Sequence, residues 1–246
     1  MAKKASNRSK TERAQALIRA QQRKERIRNN ALVATVVVVI VVLLGVGVYI
    51  QTSRDKTGKV AANVPGNLTG RYSVTVGQAS APTTIKLYED LQCPICREFE
   101  AATGAQVRAA IAAGKVKVDY HMVAFLDRSS TTNYSSRALN AAMVVLDTAG
   151  PDVFERFHTL LYDNQPAEGS AGLTDQQLID YAVQAGADRS KVTKPIEDNQ
   201  YHQWVLNATN QMSLDKVTGT PTVFINGKNA GTNPPVAAQA VLAALK

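Results

Sequence analysis

The sequence predicts an α/β domain in which a small sheet carries a helical insertion, with a single membrane-spanning helix ahead of it. Three observations predict this. Ala31 to Ile50 is an uninterrupted apolar run without a charge. A strand–helix–strand pattern then runs from Thr83 to Val123, and a further strand and helix occupy Pro221 to Leu245. Between these two blocks, from about Asp127 to Lys216, the apolar periodicity is helical.

The chain has 246 residues and a formal net charge of +8. That excess lies wholly in residues 1–30, which hold ten basic side chains (Lys3, Lys4, Arg8, Lys10, Arg13, Arg19, Arg23, Lys24, Arg26 and Arg28) against Glu12 and Glu25. Residues 51–246 balance 18 basic against 18 acidic groups, which disfavours nucleic acid as a partner of the domain. As a helix, Ala31–Ile50 is about 30 Å long, the hydrocarbon thickness of a bilayer. Its valines favour strand in water, but a lone segment in lipid must satisfy its backbone internally, so helix is expected. The run is longer than a cleaved signal's apolar region and has no Ala-x-Ala site after it, so it reads as an uncleaved signal anchor. The basic bias places residues 1–30 in the cytoplasm and the C-terminal domain outside, as a single-pass protein of the cell membrane. Residues 51–70, with Gly58, Pro65, Gly66 and Gly70, read as a linker, and 71–246 as the domain.

The domain's elements follow in order. Tyr72–Val76 alternates as a short strand, and Thr83–Tyr88 is a second, β-branched one. Pro94–Ala113 reads as a helix stopped at Gly114. Lys115–Val123 alternates at period two, and strand–helix–strand with short links implies a parallel pair. Tyr134–Thr148 is an Ala-rich helix broken by Gly150-Pro151, and Val153–Tyr162 has one apolar face. Thr174 and Gln177 form a capping-box pattern opening a helix that ends near Gly186. One or two further helices fill Arg189–Lys216. Pro221–Ile225 is a strand, Asn226-Gly227 a strong hairpin signal, and Pro235–Leu245 a closing helix.

The chemistry lies at Cys93-Pro94-Ile95-Cys96, which holds the only two cysteines of the chain at a strand-to-helix junction. Backbone N–H groups and the helix dipole favour a thiolate at a helix start, and the thiolate is the nucleophile of disulfide exchange. Cys93, expected exposed at the helix start, is the attacking sulfur; Cys96, one turn in and more buried, resolves the mixed disulfide. Pro94 pre-sets the first helical turn. A disulfide closing so small a loop removes little chain entropy, so a purely stabilising role is weak. A zinc site needs about four ligands, and His121, His158 and His202 are far apart in sequence. Two inert thiols do not fit an oxidising compartment. Neither a metal nor a cofactor is expected. His158 reads as structural, and Trp204 as core or groove lining.

YEDLQCPICREFE and GTPTVFINGK, with the helical stretch between them, resemble the DsbA-like branch of the thioredoxin superfamily, in particular its membrane-anchored Gram-positive, actinobacterial members. Ser136–Ala142 and Phe154-x-x-Phe157-His158 add to the resemblance. It implies a thioredoxin fold with a helical insertion, redox-active Cys93 and Cys96, and Thr220 and a cis Pro221 opposite them. It also implies reduced exported proteins as substrates and a quinone-linked membrane partner of the DsbB or VKOR type for reoxidation.

Two positions depart from the family pattern. Many relatives carry a Glu six residues before the first cysteine, where it relays the buried thiol's proton; here that position is Leu87. Glu89 or Asp90 can substitute, and strand alternation leaves open which faces inward. Ile95 stands where strongly oxidising periplasmic enzymes have histidine, which predicts a less oxidising disulfide. The sequence thus points to an extracytoplasmic oxidase. A reductase or isomerase of the same fold, or a non-catalytic tethered chaperone-like module, remains open beside it.

Overall fold

The structure, a computed structural model, describes residues 59–231 and 233–246. The basic tail (1–30), the apolar span (31–50) and residues 51–58 of the linker lie outside the described residues. Among the described residues no helix is long and apolar enough to cross a membrane.

The elements in chain order are β1 (Val74–Val76), β2 (Thr83–Asp90), α1 (Pro94–Ala112), β3 (Val116–Val123), a 3₁₀ turn (Asp127–Ser129), α2 (Tyr134–Ala149), α3 (Pro151–Asp163), α4 (Asp175–Ala185), α5 (Arg189–Glu197), α6 (His202–Leu214), β4 (Thr222–Ile225), β5 (Lys228–Gly231) and α7 (Pro234–Ala244). The sheet order is β1-β3-β2-β4-β5. Only β2 and β3 run parallel, as the short links around α1 require. The expected first strand is shorter than its alternation suggests and starts at Val74, because Gly70 and Ser73 close a turn ahead of it.

Local chemistry accounts for the boundaries. Pro94 occupies the first turn of α1. The capping box at Thr174 and Gln177 is present, and α4 ends on Gly186 in the left-handed region. Asn226 and Gly227, at φ 48° and 78°, make the hairpin turn between β4 and β5. Arg189–Lys216 divides into two helices around Asn199, at φ 50°.

Alternation along β2 sorts its side chains between two apolar clusters. Ile85 and Leu87 join the main core with Val118, Tyr120 and Met122 of β3 and with Cys96 and Phe99 of α1. Tyr88 points the other way, to Val123, Met212 and Val217. The insertion adds its own apolar centre, including Leu139, Met143, Phe154, Phe157 and Leu178, and is continuous with the main core.

Residues 59–70 of the expected linker are held on the domain. Asn207 Nδ2 donates to the Lys59 carbonyl at 2.7 Å, Asn63 Nδ2 to that of Gln200 at 3.2 Å and Asn67 Nδ2 to that of Leu146 at 3.0 Å. Trp204, 2% exposed, donates its indole N–H to the Arg71 carbonyl, so it is a core residue.

Candidate active site

The site is built at the C-terminal end of β2 and the start of α1. Cys93 is the N-cap of α1 and has extended backbone angles, which leaves its sulfur beside the backbone N–H groups of Ile95 and Cys96. Cys96 lies one turn further on, completely buried. Both are unbridged thiols. Thr220–Pro221 is a cis peptide, and the Cys93 Sγ stands 3.5 Å from the Thr220 carbonyl. The two motifs read from the sequence therefore meet, although they are 127 residues apart.

Cys93 is less exposed than its position at a helix start predicts: it is 6% exposed, whereas Ile95 is 38% exposed. Contacts from two directions enclose it. The Thr220–Pro221 segment lies on one side. On the other, Gln165, just beyond α3, donates to the carbonyls of Leu91 and Cys93, both at 3.0 Å. Gln92 Nε2 reaches the carbonyl of Ala167 at 3.4 Å.

The two thiols are driven apart electrostatically. Cys93 is lowered to about 6, first by a hydrogen bond from the Cys96 thiol, against the cost of burial, then by Thr220 and the backbone N–H groups of Cys96 and Ile95. Cys96 is pushed well above the ordinary thiol range by burial, by its hydrogen bond to Cys93 and by the charge of Glu89. One sulfur is a ready thiolate and the other a stored thiol. This is the asymmetry that exchange needs.

The structure separates the roles of Glu89 and Asp90. Asp90, buried, is a clamp: its carboxylate accepts from the backbone N–H of Gln92 and of Leu126, both at 2.8 Å, and from the Ser135 hydroxyl at 2.6 Å. Burial raises it to about 6, against the pull of those hydrogen bonds. Glu89 lies on the face of β2 that carries Ile85 and Leu87. It is fully buried and raised well above the carboxylate range by burial first and by the charge at Cys93 second. It therefore fills the inward acidic place left by Leu87.

Sequence reasoning missed what surrounds Glu89. His158, read from the sequence as structural, lies with its Nε2 2.9 Å from Glu89 Oε2 in a fully buried contact. Glu100, on α1, completes a cluster whose ligating atoms all lie within 4.8 Å of one another. Burial raises Glu100 to about 8 and lowers His158, which favours the neutral form of each. These three side chains are also the set that could approach a divalent cation among the described residues. Tyr120 and Tyr162 flank the His158 ring, with centroids 4.8 and 4.9 Å away. A signal for Glu100 existed in its spacing: it follows Cys96 by four residues on one helix face. His158 carried no comparable signal, because only the fold brings α3 against β2.

The thioredoxin family model matches residues 69–244. The chain is 30% identical to DsbA from Mycobacterium tuberculosis in its reduced crystal structure, with a TM-score of 0.59, covering 71% of this chain and 100% of that one. It is 32% identical to the reduced form of the disulfide bond oxidoreductase DsbG from the same organism, with a TM-score of 0.60, covering 78% and 92%. It is also 32% identical over 158 residues to the serine/threonine-protein kinase PknE of M. tuberculosis; the match covers 61% of this chain but only 28% of the kinase.

Proposed function

We propose that this chain, which belongs to the thioredoxin family and is a DsbA-like thiol–disulfide oxidoreductase, works as an oxidase that donates its Cys93–Cys96 disulfide to reduced exported proteins. The observation that carries this direction is the lowered Cys93 thiol, about 6 against an ordinary 9.0. Stabilising the thiolate of the reduced protein makes the disulfide easier to reduce, and hence a better donor.

A substrate thiolate attacks Cys93 Sγ, the Cys93–Cys96 bond breaks, and Cys96 leaves with the electron pair and takes up a proton from Glu89. A second substrate thiolate then attacks the substrate sulfur of the mixed disulfide and expels Cys93 as a thiolate. The substrate gains one disulfide and the enzyme two electrons. Reoxidation reverses these steps on a partner disulfide, for which we infer a quinone-linked membrane protein of the DsbB or VKOR type. A cavity of about 570 Å³, lined by apolar Phe125, Leu206, Met212 and Val217 with Asp127 and Asn210 among its polar residues, reaches Thr218, two residues from Thr220, and supports a partly folded chain as substrate. The charge pattern supports a cell-membrane location, with residues 1–30 cytoplasmic, 31–50 as signal anchor and the domain outside.

Replacing Cys96 with Ala in the full-length chain tests the reading. Non-reducing gels of cells carrying it are expected to show covalent complexes with exported proteins that disappear on reduction and are absent from Cys93→Ala. No complexes, or equal complexes in both variants, would refute the dithiol role.

A further inference from the structure

The three histidines are too far apart in sequence to suggest a zinc site, but the fold joins one of them to two carboxylates. Glu89 comes from β2, Glu100 from α1 and His158 from α3, and one ligating atom of each lies within 4.8 Å of the others. Glu89 and His158 are buried, and Glu100 is part-buried. His158 Nε2 stands 2.9 Å from Glu89 Oε2. The second oxygen of that carboxylate, Oε1, is buried without a regular hydrogen bond.

We propose that Glu89, Glu100 and His158 form a site for a zinc-class divalent cation, and that the bound cation arrests the resolving step at Cys96. The proposal rests on exchange at Cys93–Cys96 and adds a regulator to it.

Charge, donor type and access converge on it. Two ionised carboxylates and a neutral imidazole carry two negative charges, which one divalent cation cancels; buried charges persist only when paired or bound to a metal. One imidazole nitrogen with two carboxylate groups makes three protein ligands, the number at which zinc keeps a fourth position open. Calcium and magnesium take six or more oxygens, and only two side chains offer oxygen here. Around zinc, bonds of about 2.1 Å put tetrahedral donors about 3.4 Å apart, so closing the site takes side-chain shifts of about an ångström. The Tyr120 and Tyr162 rings hold the imidazole between them, and the Tyr162 hydroxyl is engaged by the Asp90 carbonyl at 3.2 Å.

An entry path exists that avoids the substrate face. Glu100 lines a second cavity, of about 320 Å³, with Arg97, Arg108, Thr159, Tyr162 and Asp163. None of Cys93, Ile95, Thr220 or Pro221 lines it. Of its two basic residues, Arg97 is exposed to water, and Arg108 is turned to Glu155 at 3.8 Å and to the Thr159 hydroxyl at 3.2 Å. Neither guanidinium therefore seals the cluster against a cation.

With the cation bound, the oxygens of Glu89 are ligands and no longer exchange a proton with Cys96. The Cys96 thiol then keeps its proton and does not attack a mixed disulfide at Cys93. A Cys96 thiolate formed beside the cation would fill the open position and be withheld likewise. Cys93 faces Thr220 on the other side of the loop, so its own reaction is untouched.

Two measurements on the full-length chain in detergent test the site and the arrest. Binding is measured on the oxidised form, whose sulfurs cannot ligate, with Zn²⁺ in competition with a chromophoric chelator. One Zn²⁺ per chain is expected, resistant to excess Mg²⁺ and weakened about tenfold or more in Glu100→Gln and in His158→Phe. For the arrest, the reduced chain is converted by glutathione disulfide in EDTA to the Cys93–glutathione adduct. The adduct is held in acid, then brought to neutral pH with Zn²⁺ or with EDTA. Zn²⁺ should slow its resolution by Cys96 about tenfold or more in the parent. In Glu100→Gln the rates with Zn²⁺ and with EDTA should be equal. Absence of bound Zn²⁺, displacement by Mg²⁺, or undiminished binding in both variants would overturn the site. Resolution that Zn²⁺ leaves unchanged, or slows equally in Glu100→Gln, would overturn the arrest. Failure of the parent to form the adduct in EDTA would instead refute the exchange reading itself.

Discussion

At the scale of single residues, two positions one helix turn apart convert two chemically identical thiols into a nucleophile and a reserve. Cys93 at the N-cap draws on free backbone donors, while Cys96 loses its solvent. A thiol held at about 6, where the unfolded chain has about 9, stabilises the reduced protein by about 4 kcal/mol as pH rises from 6 to 9; the gain is lost as pH falls through 6, and above pH 9 the raised Cys96 works against it. Cys96 does not offset it below pH 9, because it is protonated there in both states. Denaturant unfolding of the reduced and oxidised forms should therefore diverge as pH rises from 6 to 9, and alkylation of Cys93 should show a midpoint near 6. A glutathione titration should place the couple at a potential more negative than the about −120 mV of DsbA. Ile95→His, at an exposed position, should shift it in the oxidising direction by adding a donor beside the thiolate. An unchanged potential in that variant would remove the explanation.

At the scale of elements, the catalytic loop is held by segments distant in sequence. Asp90 ties the end of β2 to the Gln92 and Leu126 backbone and to Ser135 on α2. Asp90→Ala leaves those buried donors without an acceptor and should cost about 3 kcal/mol in denaturant unfolding. Gly172, at φ 71°, lies where an added Cβ would meet the Tyr134 ring at 2.2 Å, so Gly172→Ala should cost at least as much. A loss under about 1 kcal/mol in both would show that the loop has other supports. Most of these elements were legible in the sequence, because proline, glycine and capping residues act locally: Pro94, Thr174 with Gln177, and Asn226-Gly227 each marked a boundary that the structure has. The strand face of Glu89 was not legible, since it depends on which side α1 and α3 pack. The burial of Cys93 was hidden for the same reason, as Gln165 and Thr220 arrive from far along the chain.

At the scale of the whole molecule, the insertion does more than enlarge the core. Its helix α3 supplies His158 to the buried acid, and the residues after it close over the cysteine loop. The redox pair and the cis Pro221 segment could be read as partners from motif and resemblance alone. The cluster behind them could not, because Glu89, Glu100 and His158 are scattered across three elements whose packing only the fold defines. The basic first thirty residues and the neutral balance of residues 51–246 bear on the proposed sidedness, which would decide whether a disulfide donor has substrates to meet. The central claim, that Cys93–Cys96 acts as a disulfide donor, is tested most directly by its redox state in growing cells. Acid quenching followed by labelling with a mass-adding thiol reagent should find the pair mostly oxidised, shifting to reduced when the proposed quinone-linked partner is removed. A pair that is mostly reduced in normally growing cells would contradict the account.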